Sequence, residues 1–225
     1  MGVSLRTVLV SGGLGGLGKA VCDVFNNKGW DVLITTSQGE KVGEKVFYWN
    51  MKEVGSSKAL MGQLPDIDCF IHCAHIFSPT RLSLQIKDTE FSQSLKNNLV
   101  ELFSLSRDLA RKMRRNGSGS IMYLGSYLAL APVGGKLSYI TEKMSMQGML
   151  SAFQSEFRNL NFSILHPGLI NTPQVMSKIS NKVLSVVGKE NLLDTKDVAS
   201  EVFYIIQNPS SQIIYEFKGN QNWKT

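Results

Sequence analysis

Ser126, Tyr139 and Lys143 fall within one short stretch, SYLALAPVGGKLSYITEK, and together these residue types can move a proton and hold a polarised oxygen. Tyr139 and Lys143 stand at i, i+4 and share one face if the stretch is helical. An ammonium beside a phenol favours the phenolate, by opposite charge. Free tyrosine titrates near ~10, so it needs such help to exchange a proton near neutrality. The spacing alone also describes a surface Tyr–Lys pair on an ordinary helix, so the rest of the chain has to decide.

The elements needed to position such residues are legible along the chain. TVLVS, Thr7 to Ser11, is an apolar, β-branched run bounded by glycine and reads as a buried strand. Glycines 12, 16 and 18 then frame a tight turn, and a helix is expected from about Gly16 to Lys28, ended by Gly29. A strand, a glycine-rich turn and a helix start can present backbone N–H groups and the positive helix end to a pyrophosphate. Further strands are expected at 31–36, 45–49, 67–74, 120–124, 161–165 and 213–217. Only SQGEKVGE separates the second strand from the third, so the crossover there must be reduced to a turn. Helices are expected over about 56–64, 89–115 (Asp88 as cap, Gly117 past its end), 139–158 and 195–207. Alternating strands and helices imply an α/β fold: a single Rossmann-type domain over 1–225 with a doubly wound parallel sheet of about seven strands. Residues 173–193 are mixed and polar, and read as a substrate lid.

With these motifs in order, the chain resembles the short-chain dehydrogenase/reductase family over nearly its whole length, with the flavour of 3-oxoacyl-carrier-protein reductases and related ketoreductases. The family's T-G-x-x-x-G-x-G appears as Ser11, Gly12, Gly16 and Gly18, with serine for threonine. Its N-N-A-G appears as His72, Cys73, Ala74 and His75, where only the alanine survives. Its helix asparagine is Asn98, its serine Ser126, its Y-x-x-x-K Tyr139 and Lys143, and its P-G Pro167 and Gly168, with Thr172 where the nicotinamide amide is held. The resemblance implies Tyr139 as acid/base, Lys143 as pKa tuner and ribose ligand, Ser126 as anchor of the substrate oxygen, and Asn98 as holder of a water that links Lys143 to solvent. It also implies cofactor contacts from Ser11, Gly12, Leu14, Gly16, Leu17, Gly18, Asn50, Met51, Ala74, His75, Pro167, Gly168, Ile170 and Thr172, beside Tyr139 and Lys143.

The end of the second strand bears on the cofactor. NAD-preferring enzymes place a carboxylate there, on the ribose 2′-OH. Here the place holds Thr36 and Ser37, with Lys41 close by, which favours NADP(H) while leaving NAD(H) usable. His72 and His75 fail as a zinc pair, since i and i+3 on a strand face opposite ways and no third ligand is near. For His75 the simplest expectation is a side chain turned outward; the sharper one is that it narrows or polarises the site. His166 reads as a structural strand-end residue. Leu128, Leu169 and Met176, with Ser126, are the expected substrate contacts, and their apolar character suits an acyl chain or another lipophilic carbonyl.

Composition sets the outer bounds. Hydrophobic residues make up 43% of the 225 and charged residues 19%, a globular balance. No apolar run reaches the ~20 residues that span a bilayer, so no membrane partner is expected. Three unspaced cysteines, Cys22, Cys69 and Cys73, and the lack of a signal-peptide pattern point to a reducing cytoplasmic setting. Net charge +6 would suit an anionic cofactor, an acidic carrier protein or nucleic acid; the basic residues are spread out, and nucleic acid is not expected. One cluster, Arg111, Lys112, Arg114 and Arg115, could receive an acyl carrier protein, although a solvated helix end explains it as well. Family members usually pair through the two long helices, which implies a homodimer or homotetramer. A non-catalytic nucleotide-binding regulator on the same fold is the competing class. An extended-branch sugar epimerase would need room for a further substrate domain.

Overall fold

The computed structural model describes residues 5–179, 184 and 188–218. Seven parallel strands form one sheet in the order β3-β2-β1-β4-β5-β6-β7: β1 (Thr7–Ser11), β2 (Asp31–Thr36), β3 (Val46–Tyr48), β4 (Cys69–His72), β5 (Ser120–Leu124), β6 (Asn161–Pro167) and β7 (Ile214–Phe217). The inner strands β1, β2, β4, β5 and β6 are largely buried on both faces, which is why they read as continuous apolar runs rather than alternating ones, whereas the edge strands β3 and β7 are partly exposed. Phe70, Ile121 and Tyr123 point to one face, where they pack against Leu60 of α2 (Ser56–Met61), Leu102, Leu105 and Leu109 of α4 (Glu101–Asn116), and Met146, Leu150 and Phe153 of α5 (Leu137–Glu156). Ile71, Met122 and Leu124 point to the other, against Val21 and Phe25 of α1 (Gly16–Asn27) and Val198, Val202 and Ile205 of α7 (Thr195–Gln207). The expected doubly wound architecture holds, and the β2–β3 crossover is reduced to a single turn of 3₁₀ helix, Gly39–Lys41.

Three local expectations are corrected. The helix read as continuous over 89–115 is α3 (Asp88–Leu95) and α4 joined through a π turn, Lys96–Val100. Neither proline nor glycine marks the insertion; Asn98 turns inward there, and its amide takes both backbone groups of Ile76. Asp88 is not the cap but lies in the first turn, where its charge suits the helix dipole. Lys87 is the N-cap, and its N–H donates to Glu90 Oε2 at 3.2 Å. Trp49 and Ala74, read as strand ends, lie past β3 and β4.

The sheet reverses winding direction between β1 and β4, whose registered ends are Ser11 and His72. Such a switch point leaves a crevice beyond the carboxyl ends of the strands. The glycine turn, Ala74, Ser126 and the β6 exit all open toward it. Of the expected lid, α6 (Pro173–Met176) is described, whereas residues 180–183 and 185–187 lie outside the described residues. No helix among the described residues is long and apolar enough to cross a membrane.

Candidate active site

The crevice begins at the glycine turn. Gly12 has φ +68°, a left-handed conformation that disfavours any side chain. A Cβ on Gly18 would meet the Gly12 carbonyl oxygen at 2.2 Å, so the turn closes only because position 18 has none. α1 therefore starts hard against the turn. Its N-cap is Gly15, no side chain caps it, and no acidic residue sits in its first turn. That is an end suited to an external anion, and the fit to a dinucleotide pyrophosphate rests on it. Thr172 packs over the same turn, with its methyl 3.1 Å from where a Gly16 Cβ would stand. Its Oγ1 accepts from Val175 N–H at 3.2 Å and caps α6.

The remaining expected cofactor residues divide by exposure. Leu14 and Ser37 are exposed, and Leu17, Ala74 and Gly168 are partly buried. Thr36 is buried, and its Oγ1 accepts from Gln38 N–H at 3.1 Å. Asn50 donates to Glu53 Oε1 at 2.8 Å and to Tyr48 at 3.3 Å, so its amide is held at the rim. Met51 and Ile170 send their side chains into the two cores, which leaves their backbones to face a ligand. Pro167 is buried at the end of β6, and Gly168 N–H donates to Phe217 O at 2.9 Å. Of the substrate residues, Leu128, Leu169 and Met176 are all partly buried.

The structure brings Ser126, Tyr139 and Lys143 together. β5 delivers Ser126, whose Oγ accepts from Leu128 N–H at 3.3 Å. α5 presents Tyr139 and Lys143 on one face, with the Lys143 Nζ 5.8 Å from the Tyr139 ring centre. The Ser126 side chain hydrogen-bonds the phenol. Burial pushes that phenol up, the Ser126 bond works against the rise, and the Glu142 charge adds to it. The expected lowering by Lys143 is not what this arrangement gives. The Lys143 Nζ donates to Leu124 O at 2.9 Å instead, and burial pulls the amine down to about 8 against the opposing pull of Glu142 and Cys73. Asn98 is buried in the π turn, where its side chain also hydrogen-bonds Glu142, the residue before Lys143.

The outward reading of His75 is corrected. Its side chain is 6% exposed and stands edge-on to Tyr139 (5.1 Å between ring centres) and to Phe77 (4.8 Å). Its Nε2 lies 3.3 Å from Oε2 of Glu142, a carboxylate with no exposed surface. Turned outward, the ring would lose both aromatic contacts and leave that oxygen alone. Sequence reasoning missed Glu142, although the signal was present: it sits three residues after Tyr139, on the same helical face. His166 also does more than end a strand. Its Nδ1 lies 3.1 Å from the Ser126 backbone nitrogen and 2.8 Å from the Ser126 carbonyl oxygen, and its Nε2 lies 3.0 Å from Gln147 Oε1.

Comparison with known proteins gives a consistent answer. The family profile described as short chain dehydrogenase matches residues 6–183. Among curated relatives, the 3-oxoacyl-(acyl-carrier-protein) reductase FabG of Rickettsia felis is 25% identical over 223 residues, covering 92% of each chain. Nodulation protein G of a Rhizobium species is 26% identical over 227 residues, again covering 92% of each. Among solved structures, a short chain dehydrogenase/reductase family protein superposes with a TM-score of 0.84 at 19% identity, over 96% of this chain and 97% of that one. The structure titled ElxO with NADP bound gives 0.81 at 18% identity, over 95% and 97%. The chain thus belongs to the short-chain dehydrogenase/reductase family and is an oxidoreductase of C=O and CH–OH groups.

Proposed function

We propose that the protein is an NADP(H)-dependent carbonyl reductase, acting on a 3-oxoacyl-like ketone, with Tyr139 as acid, Ser126 as anchor and Lys143 as ribose ligand and pKa tuner. The observation that carries this reading is the convergence of Ser126, Tyr139 and Lys143 at the mouth of a crevice headed by an uncapped, glycine-rich helix start. A nicotinamide dinucleotide bound there supplies the hydride. Tyr139 gives its proton to the carbonyl oxygen, and Ser126, already bonded to that phenol, holds the same oxygen as charge develops. Lys143, once its amine leaves Leu124 O for a ribose hydroxyl, stabilises the phenolate left behind. Asn98, in the π turn, hydrogen-bonds Glu142, the neighbour of Lys143 on α5, and in this reading holds the water that links Lys143 to solvent. Preference for NADP(H) over NAD(H) is supported by Thr36, Ser37 and Lys41 at the end of β2. The 3-oxoacyl class is supported by the curated reductase relatives and by the apolar Leu128, Leu169 and Met176.

Residues 173–193 serve as the lid of a single domain in this reading. Exposed Val100 and Phe103 at the start of the long helix, with Met144 on α5, support pairing of two copies through those helices. An acyl carrier protein is a lesser partner. Arg111 is tied to Asp108 and Lys112 to Asp66, which leaves Arg114 and Arg115 as the exposed remainder of the basic cluster.

The deciding experiment measures NADPH and NADH consumption with a 3-oxoacyl thioester and a panel of ketones, for wild type and Tyr139→Phe. Turnover with NADPH preferred, abolished in Tyr139→Phe while NADPH still binds, is the expected result. Nucleotide binding without turnover on any carbonyl would overturn the catalytic reading in favour of a regulatory binder.

A further inference from the structure

Behind Tyr139 the structure contains a polar chain that the reductase chemistry above does not use. His75 Nε2 stands 3.3 Å from Glu142 Oε2, close but not aligned as a hydrogen bond, and neither buried atom has another hydrogen-bond partner. The other Glu142 oxygen, Oε1, accepts from the Ser94 hydroxyl, and the Ser94 oxygen is hydrogen-bonded to the Ser78 hydroxyl. Ser78 is partly exposed and precedes the exposed Pro79 and Thr80. The chain thus runs from the ring that touches Tyr139 to the surface. His75 Nδ1, at the inner end of the chain, is buried and makes no hydrogen bond to the protein.

We propose that His75, Glu142, Ser94 and Ser78 form a proton-conducting chain that reloads Tyr139 from solvent after each reduction. The proposal rests on the carbonyl-reductase reading. After the phenol has given up its proton, one proton enters at Ser78 from water. Ser78 passes its hydroxyl proton to Ser94, and Ser94 passes its own to Glu142 Oε1. The carboxyl then turns about its Cγ–Cδ bond and gives that same proton to His75 Nε2, and the ring releases one from Nδ1, through a site water, to the phenolate. Only O–H and N–H bonds change, and the net result is one proton moved from solvent to Tyr139. Rotation of the hydroxyls and return of the His75 tautomer reset the chain.

The electrostatics suit the task. Burial, then Lys143, His72 and Lys178, hold the His75 imidazole well below its usual range, so it works as a neutral donor and acceptor. Burial raises Glu142 to about 6, with Ser94, Lys143 and Asn98 opposing, so the carboxyl takes and releases a proton near neutrality. The titratable and charged groups around the pair are Tyr139 and Lys143 on α5, His72 and Cys73 at the end of β4, and Lys178 after α6.

The test uses Ser94→Ala, which cuts the chain and leaves His75 and Glu142 in place, with Ser78→Ala as a second cut at the surface. In the full-length, cofactor-free protein with isotope-labelled histidine, NMR reads the exchange of the His75 ring N–H with water. Both variants are expected to slow it about tenfold or more. In turnover with NADPH and a 3-oxoacyl thioester, kcat is expected to fall roughly tenfold with KM unchanged, short of the ~10²–10⁴-fold loss of the acid itself. The solvent isotope effect should rise, and added imidazole buffer should restore the rate. Equal N–H exchange in wild type and variants overturns the proposal, and so does a slower kcat with neither isotope effect nor buffer rescue. Absence of wild-type turnover would overturn the reductase reading instead, and the exchange measurement then decides the chain by itself.

Discussion

The His166 ring holds the backbone of Ser126 on both sides of its Cα, with Nδ1 at 3.1 Å from the amide nitrogen and 2.8 Å from the carbonyl oxygen. A single ring nitrogen serves one of these at a time, so the tautomer selects which. Gln147 on α5 sets that choice from Nε2, at 3.0 Å. Gly125 makes the contact feasible, since a Cβ there would lie 2.5 Å from Nδ1. The loop that carries Ser126 is therefore fixed by β6 and α5 as well as by its own strand.

Replacement of His166 by leucine should leave a part-buried backbone group of Ser126 without its partner and lower stability by about 1 kcal/mol. Because Ser126 then loses its setting, kcat on a ketone should fall while the affinity for NADPH stays within about twofold, roughly 0.4 kcal/mol. Denaturant unfolding and a nucleotide titration check both halves. Unchanged kcat would show that His166 only fills space.

Gly18→Ala tests the glycine turn. Its new Cβ would collide with the Gly12 carbonyl, a backbone atom that has little room to give. The turn and the start of α1 should shift, and dinucleotide affinity should drop by about tenfold or more, roughly 1.4 kcal/mol. Isothermal titration with NADPH measures this, and wild-type affinity in the variant would remove the turn from the cofactor site.

Lys143→Met separates function from stability. Lys143 is 4% exposed, and its folded-state value of about 8 lies below the ordinary lysine value of 10.5. Between these values the unfolded chain binds more protons than the folded one, so this group makes stability rise with pH from about 8 to 10.5 and lowers it below that window. At pH near 7 the burden is on the order of 1–3 kcal/mol. Methionine should thus raise the melting temperature of the cofactor-free protein by a few degrees near neutrality and flatten its alkaline rise. Ketone reduction should be lost. A lower melting temperature would mean that the bond to Leu124 O outweighs the buried charge.

Much of this protein is determined locally, and that part is legible in the sequence. Strands such as TVLVS and SIMYL are apolar throughout because both sheet faces are covered, and Tyr139 and Lys143 share a face because a helix repeats every 3.6 residues. The glycine turn is visible because close backbone approach tolerates no side chain at position 18. What only the tertiary structure decides lies between residues distant in the chain. Asn98 reaches Ile76, Ser94 reaches Glu142, His166 reaches Ser126, and His75 turns inward to Glu142 rather than out to water. These pairings follow no period, since each depends on which elements the sheet order sets side by side. A histidine where the family has glycine has no meaning until the carboxylate opposite it is in place. A buried charge must find its partner in space, and sequence spacing carries no record of that distance.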